Sequence, residues 1–95
     1  MKRRLILLNR IKLVFEETMQ MLVPRLEPPH IQAVCAYAED TERAEWTIRY
    51  GGGRLDMTTE GSDLALMVLR GMTEHMEYTW EEDAELGNVL TVKVR

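Results

Sequence analysis

The chain has 95 residues, of which 45% are hydrophobic and 29% charged, and a formal net charge of −4. This length and balance predict one folded domain with a small core and exclude disordered and fibrous proteins. The first twelve residues hold five basic residues and no acidic one, whereas the remainder is acidic, with 7 basic against 16 acidic residues. We therefore expect neither a nucleic-acid partner nor, in the absence of a long apolar run, a membrane one. Cys35 is the single cysteine and cannot form an internal disulfide, which favours a cytoplasmic location.

A long helix is predicted over residues 5–23. Five apolar residues recur at helical spacing and form one stripe: Leu8, Ile11, Phe15, Met19 and Leu22. Pro24 ends this helix, because the residue before a proline is pushed out of helical geometry. Glu16 and Gln20 lie one turn apart beside the stripe, where both could face the rim of a pocket. The competing interpretation is an ordinary polar pair at the boundary of a packed helix.

An antiparallel hairpin is predicted next. Residues 31–38 are apolar on both faces, which is typical of a central strand, and residues 44–50 alternate with Trp46 and Ile48 facing inward. Three consecutive glycines, 51–53, then permit positive φ and the close approach of a backbone or ligand.

The second half of the chain repeats this order. Residues 54–61 are predicted as a loop, and Ser62 or Asp63 caps a buried helix that ends near residue 74 or 75. Strands are predicted over residues 76–80 and 88–94. The fold class is therefore a two-layer α+β sandwich, with two helices on one face of a four-stranded, mostly antiparallel sheet in the order α-β-β-α-β-β. The predicted core joins the helical stripe to Trp46, Ile48, Leu66, Leu69, Leu90 and Val92.

Residue types that often carry chemistry are scattered. His30 and His75 are isolated, Ser62 lacks the context of a nucleophile, and Cys35 lies in a predicted strand as a small core residue. No group of histidine, cysteine and carboxylate residues occurs at metal-ligand spacing, so no zinc site is predicted.

The layout resembles the ATP-binding domain that histidine kinases share with anti-sigma-factor serine kinases, DNA gyrase and mismatch-repair ATPases. The family's first helix carries E-x-x-x-N, which Glu16 and Gln20 match with glutamine in place of asparagine. The resemblance implies that Glu16 is the catalytic base and that Gln20 binds Mg²⁺.

Three further motifs of the family match in part. In D-x-G-x-G, Tyr50 stands at the adenine-binding aspartate and only Gly52 matches. In G-x-G-L, Asp63 replaces the second glycine, and Asn88 stands in the final G-T. The resemblance implies these nucleotide-binding positions: Gln20, Tyr50, Gly51, Gly52, Gly61, Asp63, Leu64 and Asn88.

The departures from the motifs weaken the expected binding of ATP and Mg²⁺. Tyr50 lacks the carboxylate that grips adenine, and Asp63 puts a negative charge at the helix N-terminus that would meet phosphate. We therefore expect a degenerate domain that binds Mg-ATP weakly or not at all. Such a domain would act as a regulatory or interaction module in bacterial signalling, with a protein partner or as a homodimer.

Two alternatives stay open. One is an active Mg-ATP-binding serine kinase of the anti-sigma type, or an ATPase. The other is a small sandwich outside the family, whose open sheet edge pairs with itself or with a partner. The family's domain begins with a further strand and helix, so residues 1–95 look like one shortened domain or the C-terminal part of a longer protein.

Overall fold

A computed structural model describes the backbone of residues 2–95 and the side chains of residues 5–95. Within these residues, one sheet of four strands carries helices on one face, an α+β sandwich as predicted. The helices are α1 (Lys2–Leu22), α2 (Met57–Glu60) and α3 (Asp63–Met72). The strands are β1 (Ile31–Ala38), β2 (Arg43–Tyr50), β3 (Thr73–Trp80) and β4 (Asn88–Val94).

The strands lie in the order β1-β2-β4-β3, and each neighbouring pair is antiparallel. Helix α1 packs against α3 and against the two central strands, β2 and β4. Their inward residues form the middle of the core, where Ile48 lies beside Leu90 and Trp46 beside Val92. The indole of Trp46 donates to the carbonyl of Ile11 at 3.1 Å and thereby ties the sheet to α1.

The buried stripe of α1 is rotated from the predicted one. Leu8 is 46% exposed, and Phe15 and Met19 are half-buried. The buried stripe is Leu7, Val14, Thr18, Met21 and Leu22. Helix α1 packs against α3 as well as against the sheet, and this second contact accounts for the rotation of its buried face. Thr18 tolerates burial because its hydroxyl donates to the carbonyl of Val14 at 2.7 Å.

The prediction that residues 31–38 form a central strand is wrong, because β1 is at an edge of the sheet. Its outward-facing Val34 is 56% exposed, and Ala36 and Ala38 are exposed as well. Small apolar residues on both faces are compatible with either position, and only the pairing of β2 with β4 settles which strand is central.

The segment between β2 and α3 is more ordered than predicted. Asp56 caps α2 by accepting from the backbone N–H of Thr58 at 2.9 Å. Helix α3 ends at Met72, two to three residues before the predicted end. Strand β3 begins at once with Thr73, and its register against β4 shifts between Thr73 and His75.

Candidate functional site

The end of β2 meets the start of β4 at one end of the sandwich. Tyr50 and Asn88 are paired across the two strands, and both are fully buried. The chain then leaves the sheet through Gly51, Gly52 and Gly53, with Gly52 at a φ of 87°. A side chain at Gly52 would be strained at this positive φ, so the glycine sets the path of the loop.

The side chain of Asn88 binds the backbone of this loop. Its side-chain NH₂ donates to the carbonyls of Tyr50 at 3.1 Å, Gly51 at 3.2 Å and Gly53 at 3.0 Å. Its side-chain oxygen accepts from the N–H of Leu55 at 2.8 Å and from the hydroxyl of Tyr78 at 2.6 Å. An asparagine amide has two N–H donors and one oxygen acceptor, so these contacts use its full capacity.

Tyr50 lies beside Asn88, on the neighbouring strand. Its ring is fully buried, and its hydroxyl donates to the backbone carbonyl of Leu55. Burial, with the nearby Tyr78 and Asp56, raises the pKa of the Tyr50 phenol well above its ordinary value. The phenol is therefore a neutral donor that points into the protein.

The segment between β2 and α3 packs against the end of α1. Met57, the first residue of α2, is fully buried. A Cβ built on Gly61 would collide with the Met21 sulfur and would lie 2.8 Å from the Met57 carbonyl oxygen. Gly61 is thus needed for this close approach, and two methionine side chains fill the interior between α1 and the loop.

An open cleft of about 470 Å³ lies between the end of α1 and the start of α3. It is lined by Glu17, Gln20 and Met21 of α1, and by Ser62, Leu64, Ala65 and Val68 at the other wall. Asp63 is exposed at the first position of α3, and Leu64 is 67% exposed. Glu16 lies one turn before Gln20 and faces Lys12 at 3.9 Å, with both side chains largely exposed.

A second open cleft, of about 480 Å³, runs beside the glycine loop. Arg25 and His30 line one side of it and Arg54 the other. Arg54 lies 5.3 Å from the centre of the Trp80 ring and 3.4 Å from the Glu82 carboxylate. This arginine is therefore held at the rim by the ring of Trp80 at the end of β3 and by the carboxylate of Glu82 in the β3–β4 connection.

The residues implied by the resemblance thus fall into two groups at one end of the molecule. Tyr50, Gly51 and Asn88 belong to a closed, internally bonded cluster, and Gly52 is exposed in the loop that leaves it. Gln20 and Leu64 line the α1–α3 cleft, with Gly61 and Asp63 beside it and Glu16 one turn away.

Two residues that complete the closed cluster, Leu55 and Tyr78, were not predicted as part of a site. Leu55 belongs to a stretch without periodicity, yet its N–H and carbonyl bind Asn88 and Tyr50. Tyr78 was predicted only as part of a strand. The alternation of Tyr78 with polar neighbours was the one available signal, since it indicates an inward face.

Within the part of the chain that the structure describes, no group of three or more His, Cys, Asp or Glu residues could hold a metal ion. None of the described helices combines the length and apolarity needed to cross a membrane.

A scan against protein-family models, a search of curated proteins and a search of solved structures each gave no significant match.

Proposed function

We propose that this chain is a degenerate histidine-kinase-like ATP-binding domain that acts as a cytoplasmic regulatory or interaction module in bacterial signalling. The observation that carries the proposal is the state of Tyr50. This residue stands where the family has its adenine-binding aspartate, and it is fully buried with its hydroxyl bonded to Leu55.

The Tyr50 phenol cannot replace the carboxylate as an adenine acceptor. It donates inward, and turning it outward would leave the Leu55 carbonyl without this partner. The lost charge-assisted hydrogen bond is worth roughly 1.5–3 kcal/mol, and the upper value is more than a hundredfold in affinity.

The surroundings support the same conclusion. Asn88, at the position of the final motif, already has its amide groups bonded within the protein. Met57 is buried in the interior, and Met21 packs against Gly61. Asp63 places a carboxylate in the first turn of α3, where it would repel a phosphate.

Isothermal titration of the full chain with Mg-ATP and with ADP tests the proposal. We expect no saturable heat from either nucleotide. A dissociation constant in the low micromolar range would overturn the proposal and favour the active enzyme. In that case Glu16→Ala should abolish turnover while preserving binding, since Glu16 would activate the attacking group without anchoring the nucleotide.

A double variant, Tyr50→Asp with Asp63→Gly, restores two of the family's residues. If these two positions are what disables the site, the folded double variant should bind Mg-ATP more tightly than the wild type. Gln20→Asn is the matched control, because it restores a family residue at the exposed cleft and leaves the buried cluster unchanged. Far-UV circular dichroism would establish that each variant is folded.

A further inference from the structure

We propose that two copies of this chain pair through the exposed edge of β1, antiparallel and in a register centred on Val34, to form one continuous eight-stranded sheet. This pairing goes beyond the nucleotide proposal and does not depend on it. The partner is a second copy of the chain, and the surface is the backbone edge of β1 with the side chains that flank it.

The two edges of the sheet differ in their protection against pairing. Strand β1 pairs with β2 in continuous register over its eight residues, IQAVCAYA, which include no charge, proline or glycine. Strand β3 carries Glu74, His75 and Glu77, and its register is irregular near its start. Charges and bulges are the usual means by which an edge strand avoids pairing, so β3 is protected and β1 is open.

The hydrogen-bonding phase of β1 follows from one contact at its start. The carbonyl of His30 accepts from the N–H of Gly51 at 3.1 Å, next to the pair formed by Ile31 and Tyr50. Because the direction of backbone groups alternates along an antiparallel strand, even-numbered residues of β1 bond to β2. The backbone N–H and carbonyl groups of Ile31, Ala33, Cys35 and Tyr37 therefore point away from β2, toward the open edge of the sheet.

Symmetry then limits the register. Two antiparallel neighbours in one sheet are related by a two-fold axis perpendicular to it, which keeps the inner faces of both copies on the same side. With the axis at Val34, Ile31 pairs with Tyr37 of the partner subunit and Ala33 with Cys35 of the partner subunit. The backbone groups of these four residues in each copy are then hydrogen-bonded to the other copy. An axis at Cys35 would instead place Ile31 opposite Glu39, beyond the end of β1.

The side chains at this edge fit a second copy. Val34 is 56% exposed, and across the axis it would meet the partner's Val34 in the closely spaced type of pair, with Cα atoms about 4.5 Å apart. On the inner face of β1, Ile31, Ala33 and Cys35 are half-buried. Phe15 and Trp46 are half-buried as well, and their ring centroids lie 4.9 Å apart. Because β1 carries no charge, pairing two copies through it avoids the repulsion between acidic side chains that pairing through other surfaces of this acidic chain would cause.

Disulfide trapping tests the register. In a Cys35→Ala background, Val34→Cys should form a covalent dimer on oxidation with copper-phenanthroline, because a separation of about 4.5 Å lies within the range that disulfides span. Thr79→Cys in the same background is the matched control, since Thr79 is exposed on the protected edge. Equal cross-linking of the two variants, or none from Val34→Cys, would overturn the proposal.

Sedimentation equilibrium tests the association itself. We expect the wild type to dimerise, Val34→Lys to weaken the dimer by about tenfold or more through like charges across the axis, and Thr79→Lys to leave it unchanged. Circular dichroism would establish that each variant is folded. A wild type that stays monomeric at about millimolar concentration, far above the dissociation constant of a specific dimer, would overturn the proposal and leave the edge for a strand of another protein.

Discussion

Asn88 joins five groups from three parts of the chain: three carbonyls, one backbone N–H and the hydroxyl of Tyr78. Its side chain is buried at the start of a central strand, so its removal leaves several buried polar groups without this partner. The path of the glycine loop therefore depends on one amide side chain.

We expect Asn88→Ala to lower the free energy of unfolding by on the order of 3 kcal/mol, because several buried groups lose their partner. Asn9→Ala is the matched control, since Asn9 is exposed on α1, and it should change stability by less than about 0.5 kcal/mol. Urea unfolding followed by circular dichroism measures both. Similar values for the two variants would show that the loop does not need Asn88.

Tyr50 gives a pH-dependent prediction. In the unfolded chain a tyrosine loses its proton near pH 10, whereas the raised pKa of folded Tyr50 retains it. The folded state then binds more protons than the unfolded state, so the contribution of Tyr50 to stability falls as the pH rises above about 10.

We expect Tyr50→Phe to cost about 1 kcal/mol at neutral pH, through the lost bond to Leu55. Above about pH 10, the difference between wild type and variant should shrink by up to about 1.4 kcal/mol per pH unit. Urea unfolding at pH 7 and at about pH 11 measures the two differences. A difference that stays constant between these pH values would contradict the assigned burial of the phenol.

At the scale of elements, helix α1 shows what the pattern of apolar side chains can and cannot predict. The predicted stripe contains Leu8, yet Leu8 is exposed and its neighbour Leu7 is buried. The pattern predicts the helix and places its end within one residue, but the helix begins at Lys2, three residues before the predicted start. The rotation depends on α3, which comes forty residues later and takes a share of the helix surface.

Leu7→Ala and Leu8→Ala form a matched pair that measures this rotation. We expect Leu7→Ala to cost about 2 kcal/mol or more, as a leucine removed from a core does, and Leu8→Ala to cost less than about 0.5 kcal/mol. Urea unfolding would give both values. A larger loss from Leu8→Ala would mean that the stripe predicted from the sequence is the buried one.

Strand boundaries were predicted well where the pattern is local. The bounds of β1 and β4 agree with the predicted residues 31–38 and 88–94. The start of β3 was missed because it is held by distant groups: Arg95 donates from its backbone to Met72 and from its side chain to Thr73. The closed cluster was missed for the same reason, since Asn88 is 33 to 38 residues from the loop that it binds.

For the molecule as a whole, pairing through β1 would make stability depend on protein concentration. Association that occurs only between folded chains adds about 2.7 kcal/mol when the free chain is at a hundred times the dissociation constant. We expect the Tm of the wild type to rise with concentration, and that of Val34→Lys to begin rising only at concentrations about tenfold higher or more. Differential scanning calorimetry over a hundredfold concentration range measures both, and a constant wild-type Tm would contradict the dimer.

The strand order also bears on how the chain is made. Strand β4 is the last of the four to leave the ribosome, yet it lies between β2 and β3 in the finished sheet. Until it arrives, the nascent chain holds one hairpin and a separate strand, each with an unpaired edge exposed to neighbouring chains. A premature stop codon before residue 88 would therefore remove the centre of the sheet, and the shortened product would be a substrate for chaperones and proteases.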